Sequence, residues 1–159
     1  ISVNNTMGGS YTIAGRPSVN LNASTVGTAA SLEVAAGAHE FQAPLGIHSD
    51  TTVNVAGGST LTFNNALNLN GQTLTKSGDG TMTVNNVLNT GGGTLNANAG
   101  IVSGHGTIGG DVNNEGGTIS PGDNAALSSD DSVSNVPEPS SLLLLVLGGL
   151  LILLRAWKR

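Results

Sequence analysis

Few side chains in this sequence have both the type and the spacing for chemistry. His39-Glu40 and His48-x-Asp50 offer imidazole and carboxylate, the donor types of a metal site. No spacing makes His39 and Asp50 converge, so these residues read as solvated turn positions rather than a metal cluster. Serines are many, yet no Gly-x-Ser-x-Gly phrase sits between a strand and a helix, the turn that would expose a nucleophilic hydroxyl. Asn64-Asn65 and Asn85-Asn86 carry amides that can hold a ligand or bond to one another. They read as a ladder or a corner.

Two phrases resemble elements of known families. Gly104-His105-Gly106 is similar to one element of the polygalacturonase pattern. That family also needs an Asn-Thr-Asp element and a paired aspartate before it, and an Arg-Ile-Lys element after it. Here Asp130-Asp131 comes later, and the other elements do not appear in that order. A polysaccharide lyase would need calcium-binding carboxylates and an arginine base, but Arg16 lies far in sequence from most of the acids. Ser77-Gly78-Asp79-Gly80 resembles a calcium-binding nonapeptide repeat, but it occurs once, without the tandem spacing such sites require. A type I′ turn at Asp79-Gly80 is the simpler reading. The expectation is a chain that is not an enzyme and uses neither metal nor cofactor.

Short segments with period-two alternation must position these residues. They include Val19-Asn20-Leu21-Asn22, Leu32-Glu33-Val34 and Thr52-Val53-Asn54-Val55, with Gly- or Asn-rich turns between them. Nothing before Val136 carries a helical apolar period. The phrase Thr60-Leu61-Thr62-Phe63-Asn64-Asn65-Ala66-Leu67-Asn68 returns as Thr81-Met82-Thr83-Val84-Asn85-Asn86-Val87-Leu88-Asn89, 21 positions on. The same interval links Val34 to Val55, and Phe41, Leu45 and Ile47 match Phe63, Leu67 and Leu69 after a slip of one. A Gly-Thr-apolar phrase recurs at Gly80, Gly93, Gly106 and Gly117.

A period in the low twenties, made of strands alone, predicts a solenoid. The fold class is all-β: a right-handed parallel β-helix, each repeat one coil about 4.8 Å tall. Leu61, Phe63, Leu67, Met82, Val84 and Leu88 would stack inside, with Thr62, Thr83 and the asparagines outside and glycines at the corners. An antiparallel β-sandwich is the alternative, but it does not require one phrase to return at a constant interval. Residues 61–123, through Gly104-His105-Gly106-Thr107-Ile108-Gly109-Gly110-Asp111 and Gly117-Thr118-Ile119-Ser120-Pro121-Gly122-Asp123, resemble the autotransporter-associated β-strand repeat of bacterial surface proteins. That resemblance also implies a β-helix. The likeness is weak before Leu32.

The chain ends differently. Val136, Pro137, Glu138 and Pro139 form a stiff extended turn, since each proline fixes its own φ and disfavours helix before it. Leu142, Leu143, Leu144, Leu145, Val146, Leu147, Leu150, Leu151, Ile152, Leu153 and Leu154 make an apolar run interrupted only by Gly148 and Gly149, and Arg155, Lys158 and Arg159 close it. A helix over 139–157 would be roughly 28 Å long, nearly the ~30 Å hydrocarbon core, with Trp157 at headgroup depth. The basic cluster would stay cytoplasmic, leaving the rest across the membrane.

This order of parts resembles the PEP-CTERM sorting signal of Gram-negative surface proteins. The resemblance implies recognition of Pro137, Glu138 and Pro139 by exosortase, a membrane-embedded transpeptidase-like enzyme. It also implies removal of the tail near the motif and delivery to the cell surface or exopolysaccharide matrix.

The expected layout is a β-helix over 1–123, truncated at its N-terminus because an exported chain needs a signal peptide. A flexible acidic linker would follow over 124–135, and the sorting signal with its transmembrane helix over 136–159. Net charge is −5, and before Val136 the only cations are Arg16 and Lys76. That balance excludes nucleic acid as a partner. With no cysteine, a backbone ladder must replace the disulfides common in small secreted domains. The expected partners are exosortase, the membrane and an extracellular polysaccharide. The expected role is structural or adhesive. The alternatives are a fragment of a β-helix carbohydrate-active enzyme with its active coils upstream, and a polysaccharide-binding protein, for which Tyr11, Phe41 and Phe63 supply few aromatics.

Overall fold

The computed structural model describes residues 1–4 and 9–121. The predicted linker, sorting motif and transmembrane helix over 139–157 therefore lie outside the described residues, as do Asp130 and Asp131.

Alternating apolar residues, cut every few positions by glycine or asparagine, give short strands and no helix among the described residues. The strands are β1 (Ser2–Asn4), β2 (Thr12–Ile13), β3 (Val19–Leu21), β4 (Ala30–Ala36), β5 (Ala38–Phe41), β6 (Leu45–Ile47), β7 (Thr51–Val55) and β8 (Thr60–Phe63). They continue as β9 (Leu67–Asn68), β10 (Leu74–Ser77), β11 (Thr81–Val84), β12 (Leu88–Ala97), β13 (Ile101–Gly104), β14 (Ile108–Asn114) and β15 (Thr118–Pro121). Every strand pair among them is parallel. Parallel neighbours need a crossover, and here the crossover is the rest of the coil. This excludes the antiparallel sandwich.

Each coil contributes to three faces. β2, β5, β8, β11, β13 and β15 form one sheet. The other sheet wraps two faces, because β12 and β14 run through a corner and belong to both. The 21-residue interval is the coil itself: Thr60 to Phe63 pair in register with Thr81 to Val84, so Leu61 sits under Met82. Val34 pairs with Val55, and after the one-residue slip Phe41 pairs with Phe63 and Leu45 with Leu67.

The inward positions form one continuous core. Leu61, Met82, Leu67, Leu88 and Phe41 are fully buried, and Phe63 and Val84 nearly so. The Phe41 and Phe63 rings stack at 5.4 Å with 22° between their planes. Outside, Asn85 Nδ2 donates to Asn64 Oδ1 at 2.9 Å, the expected ladder. Asn65 and Asn86 occupy the corner instead, each accepting from the following backbone N–H at 2.8 Å.

The stack continues below the region where the repeat is readable. β1 pairs with β4, β2 with β5 and β3 with β6. Ser2 to Glu33, Thr12 to Glu40 and Val19 to Leu45 are 31, 28 and 26 positions apart, because added residues between strands lengthen this coil. The last described rung is short: Val102 pairs with Ile119, only 17 positions on.

The Gly-Thr-apolar phrase has a different meaning from the 21-residue repeat. Its copies open β11, enter the second half of β12, open β14 and open β15, and so recur at successive corners. The glycine is needed for close approach. A Cβ at Gly80 would strike the Ala56 carbonyl oxygen, and one at Gly106 the Asn86 carbonyl oxygen, each belonging to the preceding coil. Asp79-Gly80 is not a type I′ turn, which needs positive φ at both central residues. Positive φ falls on Gly78, at 73°, and the chain passes a solenoid corner rather than reversing.

Candidate functional site

The candidate metal residues are dispersed by the alternation of their strands. His39 shares β5 with Phe41 at a spacing of two, so both point inward, and His39 is 2% exposed. It is a core residue, not a solvated turn position. Its Nδ1 accepts the Tyr11 N–H at 3.0 Å, which leaves the proton on Nε2 to donate to the Ala36 carbonyl at 2.8 Å. The Tyr11 ring stacks on the imidazole at 5.2 Å. Both ring nitrogens are thus committed to backbone, one in the preceding coil and one three residues back in its own.

Glu40 points the other way. Its carboxylate accepts from Thr12 Oγ1 at 3.0 Å, Gln42 Nε2 at 2.6 Å and Asn64 Nδ2 at 3.0 Å. His48 and Asp50 stand at another corner, where His48 Nε2 lies 3.3 Å from Asn20 Oδ1 and Asp50 Oδ1 accepts the Thr73 N–H at 2.8 Å. They line a polar cavity of about 640 Å³ beneath residues 22–29, together with Ser49 and Gln72. Among the described residues, no three of His, Cys, Asp and Glu gather where a metal could bind.

Gly104-His105-Gly106 is likewise architectural. His105 is exposed, while a Cβ on Gly104 would collide with the Val84 carbonyl oxygen. Gly104 also holds φ at 132°.

Lys76 shows a role that charge counting hides. It follows Leu74 on β10 at a spacing of two, so it too points inward, and it is fully buried. In register it lies between Val53 and Ala97. Nζ donates to the carbonyls of Ser77 at 2.8 Å, Gly78 at 2.7 Å and Ala99 at 3.2 Å, using the three donors of the ammonium. Burial pushes its pKa below the ordinary lysine value, and the Asp79 carboxylate pulls it partly back. The group ties the corner of one coil to that of the next. The signal was present in the sequence: a lysine two positions from an inward leucine.

Together these placements define an all-β parallel solenoid whose polar side chains, in the described residues, mostly serve the stack. Residues 135–159 match the family described as the PEP-CTERM protein-sorting motif. The match covers Val136, Pro137, Glu138 and Pro139, the apolar run and the terminal cations. The motif implies exosortase-dependent processing and an exported, membrane-anchored cell-surface protein. Comparison with curated proteins and with solved structures finds no match to the chain. Among the described residues no helix is long and apolar enough to cross a membrane.

Proposed function

We propose that this chain is a non-catalytic structural or adhesive β-solenoid, exported and sorted through its C-terminus and displayed at the cell surface or in the surrounding polysaccharide matrix. The observation that carries this reading is the sorting motif at 135–159 on a chain in which His39, Glu40, Asp50 and Lys76 are engaged in structural bonds. A stack of hydrogen-bonded coils suits spacing and display, since each coil is held by its neighbours. In this reading the solenoid is of the autotransporter-associated type and lies outside the cytoplasmic membrane. Residues 124–135 act as an acidic spacer, a helix over 139–157 is the anchor before processing, and an extracellular polysaccharide is a partner.

Replacing Pro137 and Pro139 with alanine tests it. The variant should fold as before but fail to reach the cell surface, as read by surface labelling of intact cells. Unchanged surface labelling would count against the reading.

A further inference from the structure

The sheet of β2, β5, β8, β11, β13 and β15 presents two outward columns in register. One runs Thr60, Thr81, Ile101, Thr118, and the other Thr62, Thr83, Ser103, Ser120. No charge interrupts these positions, and all but Ile101 carry a hydroxyl. At the lower end the columns stop at Ala38 and Glu40.

The array is regular in two directions. Neighbouring rungs lie about 4.8 Å apart, and outward residues two positions apart on one strand lie about 6.7 Å apart. The backing is firm, since Leu61, Met82 and Val102 are buried directly beneath and Ile119 packs on the same core. Threonine is stiff at χ1, so its methyl and hydroxyl hold fixed places. Thr83 Oγ1 and Ser103 Oγ lie 3.3 Å apart across one rung. Ile101 is 39% exposed among these hydroxyls and adds methyl surface that the core does not use.

We propose that this face binds the surface of ice. An ice surface is uncharged and offers no distinctive donor, only oxygens repeating in two directions. A protein can recognise it through a rigid, uncharged array with similar repeats, whose hydroxyls join the lattice and whose methyls enter its hollows. The two spacings here lie close to the oxygen repeats on a prism face of hexagonal ice. A charged polymer finds no counter-charge on these positions, and a sugar ring finds no aromatic platform.

The test uses the full chain in lipid vesicles, with empty vesicles as the control, in an ice recrystallisation assay. Wild-type vesicles should keep ice grains small. Thr83→Lys and Thr81→Lys should abolish the effect, whereas Thr52→Lys and Thr75→Lys, which pair with each other on the other sheet, should leave it intact. Thr118→Lys, on the last described rung of the array, should weaken the effect even if the central variants fail to fold by circular dichroism. Grain growth equal to that with empty vesicles, for a folded wild-type chain, overturns the proposal. So does equal loss in the Thr75→Lys control, or full activity in folded Thr83→Lys and Thr118→Lys. Retention on an insoluble neutral polysaccharide without any effect on ice would also overturn it, and would reassign the face.

Discussion

Phe63 lies one coil from Phe41, in register, with the two rings stacked at 5.4 Å. The pair sits in the middle of a core that runs the length of the stack. Phe63→Ala should cost about 3–5 kcal/mol. In a stack stability is shared between neighbours, so hydrogen exchange should rise first in β5, β8 and β11. Uniform loosening that reaches β15 equally would contradict nearest-neighbour coupling.

Gly104-His105-Gly106 separates architecture from catalysis. Gly106→Ala drives a Cβ into the Asn86 carbonyl and should destabilise the chain by about 1–3 kcal/mol, the usual cost of overpacking. His105→Ala, at an exposed position, should change stability little. Denaturant midpoints of the two variants check this. The reverse order would mean that the imidazole, not the close approach, is what the phrase preserves.

The coil architecture is legible from Thr60 to Asn89 because one alternation of inward and outward residues returns after 21 positions, with apolar residues replacing apolar ones. Below Leu32 the same stack was hidden, because added residues lengthen the first coil to intervals of 26 to 31 and periodicity fails while pairing persists. The candidate site was less legible. In sequence His39 reads as a solvated turn residue and Lys76 only as a cation in the charge balance, yet alternation from Phe41 and Leu74 turns both into the core. Charge and propensity favour the surface, but strand phase decides, and each side chain then finds carbonyl partners at a corner.

His39 is a structural residue in this account. His39→Ala strands the Tyr11 N–H and the Ala36 carbonyl and should cost about 1–3 kcal/mol. Added zinc should not shift the melting temperature of the wild-type chain. A zinc-dependent rise that His39→Ala abolishes would reinstate metal binding.

Lys76 predicts an alkaline effect. Its folded-state pKa lies below the ordinary value of 10.5, so between the two the unfolded chain binds more protons. Stability must therefore rise with pH across that interval, by roughly 1.4 kcal/mol per unit of separation. The contribution is absent below the folded value and complete above 10.5. Lys76→Met, similar in length and without a titrating group, should lose this rise. Parallel stability profiles for the two chains would contradict the burial of a desolvated amine.

The most direct measurement concerns Thr62 and Thr83, which face outward one rung apart. The chain has no cysteine of its own, so a double variant, Thr62→Cys with Thr83→Cys, reports without interference. Adjacent rungs bring the two Cα atoms to about 4.8 Å, inside the range a disulfide spans, and an exported chain meets an oxidising compartment. The account predicts that peptide mass analysis of protein from intact cells shows the 62–83 disulfide. It predicts no bridge in Thr62→Cys with Ser103→Cys, whose positions lie two rungs apart. Free thiols at 62 and 83, or a 62–103 bridge in the second variant, would contradict an exported stack of parallel coils.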